Sequence, residues 1–167
     1  LHRVFIYDIG SGERIEVEDV PPMRISGVAF DGKTFVFNGA LERKIQIWRV
    51  SAVDVEPEMV YETDRLLFVS DVEGKIAVGH GVLKGDPRSL EIFTLDLDKG
   101  EFSVLTPKEG SVNKSPKIYR GKVLFVSNYR GGDHLHILDL TQGKFEDYEV
   151  EFELWRKYGY TQITNFD

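Results

Sequence analysis

The sequence contains no cysteine, which excludes disulfide bonds, thiol catalysis and thiolate metal sites. Positive charge is also scarce, because 21 Lys and Arg stand against 28 Asp and Glu, for a net charge of −7. A nucleic-acid partner would need a clustered basic face to neutralise phosphates, so none is expected. No apolar run approaches the roughly 20 residues of a membrane-spanning helix, so no membrane partner is expected either.

What the sequence does contain is typical of a folded, strand-rich protein. Of its 167 residues, 41% are hydrophobic and 12% aromatic, which is more than a disordered chain would carry. Phe and Tyr often stand beside Val and Ile, a composition that favours strands. The absence of cysteine fits a reducing compartment, and we expect a cytoplasmic location. The chain starts with Leu1 and runs directly into a strand-like segment, so we expect it to be part of a longer protein.

A strand–turn–strand unit recurs along the chain, and its clearest copy is residues 123–144. Turn glycines followed by lysine recur at Gly32, Gly74 and Gly121, spaced 42 and 47 residues apart. A period in the low to mid forties with four short strands per unit is typical of a β-propeller blade. One twisted four-stranded sheet cannot cover both of its apolar faces, so each blade has to pack against neighbours. The ends of the third strands repeat in step, at Asp8-Ile9, Arg49-Val50, Asp96-Leu97 and Asp139-Leu140.

The predicted fold is therefore all-β: a partial or small β-propeller of four-stranded antiparallel blades, forming one segment over residues 1–167. It consists of a starting hairpin (1–22), blades at about 23–62, 63–107 and 110–150, and a tail (151–167) whose residues 152–158 are the best helix candidate. Either the tail closes a four-bladed ring with the starting hairpin, or the chain is an open segment of a larger ring. We favour the segment, because closed rings usually have more blades.

The third unit resembles a known blade repeat. Ser115-Pro116, then residues 121–132 and 135–140, are similar to the repeat of TolB-like propellers. The same repeat occurs in the propeller of the prolyl oligopeptidase group of serine peptidases, which includes acylaminoacyl peptidases. Residues 105–107 and 163–167 resemble the short Leu-Thr segment that ends such blades. The chain departs from the pattern at Arg49, where aspartate is common, and at Tyr119-Arg120, where tryptophan and a Pro-Asp-Gly turn are usual.

The resemblance implies an accessory function. In these peptidases the propeller restricts the access of peptides to an α/β-hydrolase domain encoded elsewhere in the chain, and that domain supplies a Gly-x-Ser-x-Gly elbow. No serine of this sequence lies in such an elbow, so no catalytic residue is predicted here. The implied partners are a peptide substrate and the hydrolase domain. The alternative is a TolB-like scaffold that binds another protein and has no enzymatic role. A channel enzyme would need acids or histidines repeated in several blades, and no such set is present.

The candidate contact site is the loop that carries Tyr129 and Arg130. An arginine beside a tyrosine on a glycine-flexible loop suits contact with a substrate carboxylate or a partner domain. His134 and His136 would share one face of a strand, but a structural metal site needs more ligands than these two. Packing is the better interpretation of both histidines, and we predict no metal and no cofactor.

Overall fold

The computed structural model describes residues 2–105, 110–129 and 131–148, and in these ranges the chain forms fourteen β-strands and no helix. The first seven strands are β1 (Phe5–Tyr7), β2 (Arg14–Glu16), β3 (Arg24–Phe30), β4 (Thr34–Leu41), β5 (Lys44–Ser51), β6 (Pro57–Thr63) and β7 (Leu67–Glu73). The other seven are β8 (Ile76–Gly81), β9 (Glu91–Asp96), β10 (Glu101–Val104), β11 (Asn113–Tyr119), β12 (Lys122–Ser127), β13 (His134–Asp139) and β14 (Lys144–Tyr148).

Each sheet is an antiparallel meander in which a strand pairs with the next one along the chain. Strands β1 and β2 form the first hairpin, β3–β6 form blade 1, β7–β10 form blade 2, and β11–β14 form blade 3. The first strands of successive blades contact one another, β3 with β7 and β7 with β11, so they lie nearest the propeller axis. The all-β prediction, with three four-stranded blades and a starting hairpin, is confirmed.

The apolar core lies between the blades. Blade 1 contributes Val36 and Ile47 to a cluster with Ala77, Phe93 and Leu95 of blade 2, and all five side chains are completely buried. Burying one large aliphatic or aromatic side chain contributes roughly 1.5–3 kcal/mol, so this contact is a main source of stability. Two similar clusters join blade 2 to blade 3 and the first hairpin to blade 1.

The first strand of every blade is interrupted at a serine. The register shifts between Ile25 and Gly27, between Val69 and Asp71, and between Lys114 and Lys117. The residues inside these shifts include Ser26, Ser70 and Ser115. A bulge bends and twists the strand locally, which re-aims the side chains beside it. The repeat therefore includes a bulge at the strand nearest the axis.

The first hairpin is shorter than the sequence pattern predicts, and the helix candidate cannot be compared with the structure. The β-rich residues 4–9 and the alternating residues 14–20 predict longer strands for the first hairpin, yet β1 and β2 contain three residues each. The turn begins early because Asp8 N donates to Glu13 O and Asp8 Oδ1 accepts from Ser11 N. The helix candidate at 152–158 lies outside the described residues. Nowhere in the described ranges is there a helix long and apolar enough to cross a membrane.

Candidate functional site

The turns nearest the axis connect each blade to the next through a carboxylate. Asp31, in the β3–β4 turn, accepts a hydrogen bond from Gly74 N of blade 2 at 2.9 Å. Glu73, the last residue of β7, accepts from Arg120 N at 2.7 Å and Gly121 N at 3.1 Å in blade 3. Each acid stands directly before a turn glycine and binds the corresponding turn one blade later. The same structural device is therefore used at both complete interfaces.

The ionisation of Asp31 follows from this arrangement. Partial burial opposes its charge, but the backbone N–H groups of Thr34, Lys33 and Gly74 outweigh that effect and lower its pKa below 3.8. The carboxylate also accepts within its own turn, at 2.9 Å from Lys33 N and 2.8 Å from Thr34 N. One side chain thus organises a turn and attaches the next blade.

A polar cluster lies between blades 2 and 3. Asp71 Oδ2 accepts from Ile118 N at 3.0 Å, and Lys117 Nζ lies 3.3 Å from Ser70 O. Ser70 Oγ is 3.2 Å from His80 Nδ1, and burial lowers the pKa of His80, which favours its neutral form. Within the described part of the chain no carboxylate hydrogen-bonds the other ring nitrogen of His80. The pair therefore lacks the third group that orients the base in a hydrolytic triad.

Asn38 performs a comparable linking role between blades 1 and 2. Its side chain is fully buried; Nδ2 donates to Leu67 O at 3.0 Å and to Ser26 Oγ at 2.8 Å, while Oδ1 accepts from Val69 N at 2.8 Å. The amide thus satisfies one backbone donor and one backbone acceptor of the neighbouring blade. An aliphatic residue could satisfy neither of them.

The ends of the third strands show why Arg49 departs from the pattern. Asp96 and Asp139 accept from backbone N–H groups of their own following turns, as Asp8 does in the first hairpin. In blade 1 the turn is organised instead by Ser51 Oγ, which accepts from Val53 N at 3.1 Å. Arg49 is consequently available for contacts with other segments.

Arg49 forms ion pairs with acidic residues of two different blades. Its Nε lies 2.7 Å from Glu58 Oε2 in the same blade, and its Nη1 lies 2.7 Å from Asp98 Oδ1 in blade 2. Hydrogen bonding to Asp98 and the charge of Glu58 raise the pKa of the guanidinium. The pair of contacts lies in a polar cleft of about 660 Å³ between the two blades.

The loop predicted as a contact site lies at the end of β12. Tyr129 is half-buried; its N–H donates to Ser127 Oγ at 3.3 Å, and its ring centroid is 4.8 Å from that of His136. Arg130 lies outside the described residues. Tyr129 therefore has a packing role besides any role in contact, and the assignment of a contact site to Tyr129 and Arg130 stays a prediction.

The two candidate metal-binding histidines have different environments. His136 is 1% exposed, with its ring against Phe125 as well as Tyr129, whereas His134 is half-buried. Throughout residues 2–105, 110–129 and 131–148, no three histidine or acidic side chains form a group that could hold a metal ion. The environment of His136 is that of a packing residue.

Sequence reasoning missed the inter-blade roles of several polar residues. The sequence pattern alone places Asp31 in a simple hairpin turn and favours a solvated strand face for Asp71 and Glu73. The structure shows all three accepting backbone hydrogen bonds from the following blade. The available signal was positional: the acids at 31 and 73 both precede the turn glycine of a repeat. Spacing alone does not show which blade the carboxylate reaches.

The blades and their connections define the chain as part of a β-propeller. Its full length, residues 1–167, matches the family described as acylamino-acid-releasing enzyme-like, N-terminal domain. The chain belongs to this family.

Solved structures show the same fold. The chain is similar to a prolyl endopeptidase (TM-score 0.66, 13% identity, covering 89% of this chain and 25% of that one). It is also similar to the acylaminoacyl peptidase of Pyrococcus horikoshii (TM-score 0.63, 18% identity, 87% and 24%). TolB from Acinetobacter baumannii matches with a TM-score of 0.60 and 18% identity over 87% of this chain and 37% of TolB. The chain thus spans between about a quarter and two fifths of the lengths of these proteins.

Proposed function

We propose that this chain is a non-catalytic propeller segment that restricts the access of peptides to an α/β-hydrolase domain in the same parent protein. The observation that carries the proposal is membership, over the full 167 residues, of the N-terminal domain family of acylamino-acid-releasing enzyme-like proteins. We also propose that the parent protein works in the cytoplasm, because a segment without cysteine does not depend on an oxidising compartment for disulfide bonds.

The geometry supports a restricting role in a specific way. Blades 1 and 2 are joined by Asn38, Asp31 and Arg49, and blades 2 and 3 by Asp71 and Glu73. These contacts hold the blades firmly against one another, and in the proposed arrangement the route past them is the axis of the completed ring. A peptide with a free end would pass such an opening, and a folded protein would not.

The test uses the parent protein and three substrates: an acylated dipeptide reporter, an acylated peptide of about 30 residues, and a folded protein. We expect turnover of the dipeptide, slower turnover of the long peptide and none of the folded protein. Replacing Asn38 by Ala should loosen the first interface and raise kcat/KM for the long peptide relative to the dipeptide. The matched control is Arg88→Ala, because Arg88 forms its ion pair with Asp86 of the same loop.

Two results would contradict the proposal. Turnover by residues 1–167 alone would place the chemistry in this segment. A parent sequence without a serine elbow would favour the TolB-like alternative, a scaffold that binds a partner protein and has no enzymatic role. Tyr129→Ala and Arg130→Ala separate the two functions further, because they should weaken partner capture in a scaffold and change KM in a peptidase.

A further inference from the structure

The turn between β11 and β12 brings an arginine side chain onto the ring of the tyrosine before it. Arg120 Cζ lies 5.0 Å from the centroid of the Tyr119 ring, which is the distance of a cation–π contact. Both residues are exposed to solvent, Tyr119 with 38% of its surface accessible. The aromatic ring restricts the guanidinium, so the side chain has less freedom left to lose when a ligand binds.

The backbone of this turn does not need an arginine. Tyr119 pairs with Lys122, so Arg120 and Gly121 are the two central residues of a hairpin turn. Their φ angles are 50° and 71°, and two positive φ values are what a type I′ turn requires. Asn, Asp or Gly is usual at the first of these positions, because other side chains are strained there. A strained residue whose side chain does not serve its own turn indicates a role in binding.

The guanidinium of Arg120 has no carboxylate partner among the described residues. Glu73, the acid that reaches the turn from blade 2, accepts from Arg120 N at 2.7 Å and from Gly121 N at 3.1 Å, so its oxygens serve the backbone. Lys122 adds a second exposed cation, and Asp139 opposite it accepts from Thr141 N within its own turn. The turn thus presents two positive charges on a chain whose net charge is −7.

The turn stands at the axial end of blade 3. Strand β11 contacts β7, the first strand of blade 2, and both lie nearest the axis. The inner turns of the three blades follow one another at that end, because the carboxylates of Asp31 and Glu73 join each turn to the next. In the proposed function a peptide passes along the axis of the completed ring, so Tyr119 and Arg120 border the route of the substrate.

We propose that Tyr119 and Arg120 bind the C-terminal carboxylate of a peptide at the axial end of blade 3. The guanidinium donates two N–H groups to the two carboxylate oxygens, and its face remains on the tyrosine ring. Lys122 attracts the negative charge without having to contact it. A C-terminal carboxylate is the anionic group that all unmodified peptides share, so this turn selects peptides by their end and not by their sequence.

This inference deepens the proposed function and rests on it for the identity of the ligand. The experiment uses the parent protein and two acylated tetrapeptide reporters that differ only at the C-terminus, one a carboxylate and the other a carboxamide. We expect a lower KM for the carboxylate. Arg120→Gln should raise that KM about tenfold and leave kcat and the KM of the carboxamide within about twofold. Sodium chloride at about 0.5 M should reduce the wild-type difference by screening.

Further variants separate binding from general charge. Tyr119→Leu removes the ring and should raise the KM of the carboxylate about threefold, whereas Tyr119→Phe keeps the face under the guanidinium and should leave it within about twofold. Lys99→Gln is the matched control, because Lys99 lies in the β9–β10 turn beside Glu101 and its loss removes the same charge. A tetrapeptide amide that ends in glutamate tests a side-chain carboxylate. A KM as low as that of the C-terminal acid would assign the site to peptide carboxylates of either origin.

Equal KM values for the two reporters in the wild-type parent protein would overturn the proposal. So would a lower urea midpoint of Arg120→Gln with unchanged KM values, because the guanidinium would then serve a contact with another segment of the parent protein. Both results leave the proposed function intact where short peptides are still hydrolysed in preference to folded proteins. Where the parent protein hydrolyses no peptide, the proposed function fails, and fluorescence anisotropy of labelled pentaalanine as acid or amide still tests the site. The acid should then bind more tightly, and equal affinities contradict the inference.

Discussion

Arg49 and Asp98, 49 residues apart in sequence, form an ion pair of 2.7 Å between Nη1 and Oδ1 across the boundary of blades 1 and 2. The pair exists because Ser51 organises the turn that an aspartate organises in the other blades. The replacement of the usual aspartate by Arg49 thus provides an ion pair between blades 1 and 2.

The ion pair should contribute modestly and in a salt-dependent way. Asp98 is more than half exposed, so we expect Arg49→Ala to lower the free energy of unfolding by about 1 kcal/mol, less in 1 M NaCl. Urea unfolding of the single variants, Asp98→Ala and the double variant gives the coupling energy directly. Arg88→Ala is the control, because its partner Asp86 belongs to the same loop. A coupling energy of zero at low salt would show that the contact does not join the blades energetically.

Asn38 should be far more important for stability than its neighbours in sequence. Asn38→Ala leaves Val69 N and Leu67 O buried without their partners, at a cost of about 2–4 kcal/mol. Chemical denaturation followed by tryptophan fluorescence measures this loss. Ser26→Ala removes just one of the three hydrogen bonds and should cost less than about 1 kcal/mol. Equal effects of the two substitutions would show that the link to blade 2 is not what makes Asn38 important.

Acid should weaken the first interface through Asp31. Because the folded-state pKa of Asp31 lies below its ordinary value of 3.8, its contribution is complete above that value and disappears as the pH falls further. Asp31→Asn should lower the free energy of unfolding by about 1 kcal/mol at pH 7, a modest value because the carboxylate is exposed to solvent. At pH 2 the same substitution should change the free energy of unfolding little. Unfolding curves at both pH values test this prediction. A variant that is equally destabilised at pH 2 and pH 7 would contradict the electrostatic explanation.

Gly79 is required by a close approach of backbone and side chain. A Cβ at this position would clash with the backbone oxygen of Phe68 and lie 2.5 Å from Phe93 Cζ, and the backbone of β7 cannot shift without cost. We expect Gly79→Ala to cost about 1–3 kcal/mol through overpacking, measured as a lower midpoint of urea unfolding. Gly132→Ala is the control, since its nearest neighbour would be His134 Nε2 at an ordinary 3.6 Å. Tolerance at position 79 would mean that blade 2 can repack around Phe93.

Much of the fold was predictable because it depends on local pattern. The spacing of Gly32, Gly74 and Gly121 predicts the blade period, and the β-rich segments between the turns predict four strands per blade, as observed. The middle repeat is a few residues longer than the others, which predicts an enlarged loop at residues 81–89, and the loop between β8 and β9 occupies residues 82–90. The short first hairpin was not predicted, because its turn depends on the side chain of Asp8.

The candidate site was less predictable for a physical reason. The polar residues that join the blades act over separations of 29 to 49 residues, as between Asn38 and Leu67 or Arg49 and Asp98. A carboxylate before a turn glycine is the same in sequence whether it serves its own turn or the next blade. Tyr129, chosen for its loop, proved to pack on His136, which no spacing rule indicates.

The sequence by itself determined the unit of construction: the absence of cysteine, the acidic balance and a strand repeat with a glycine at each inner turn are all local properties. Only the tertiary structure decided what each repeat offers its neighbour, because that depends on which side chains face across an interface. It showed that the carboxylates of Asp31 and Glu73 accept hydrogen bonds from the turn amides of the next blade. Burial and hydrogen-bond direction, which exist only once the blades are packed, carry that information.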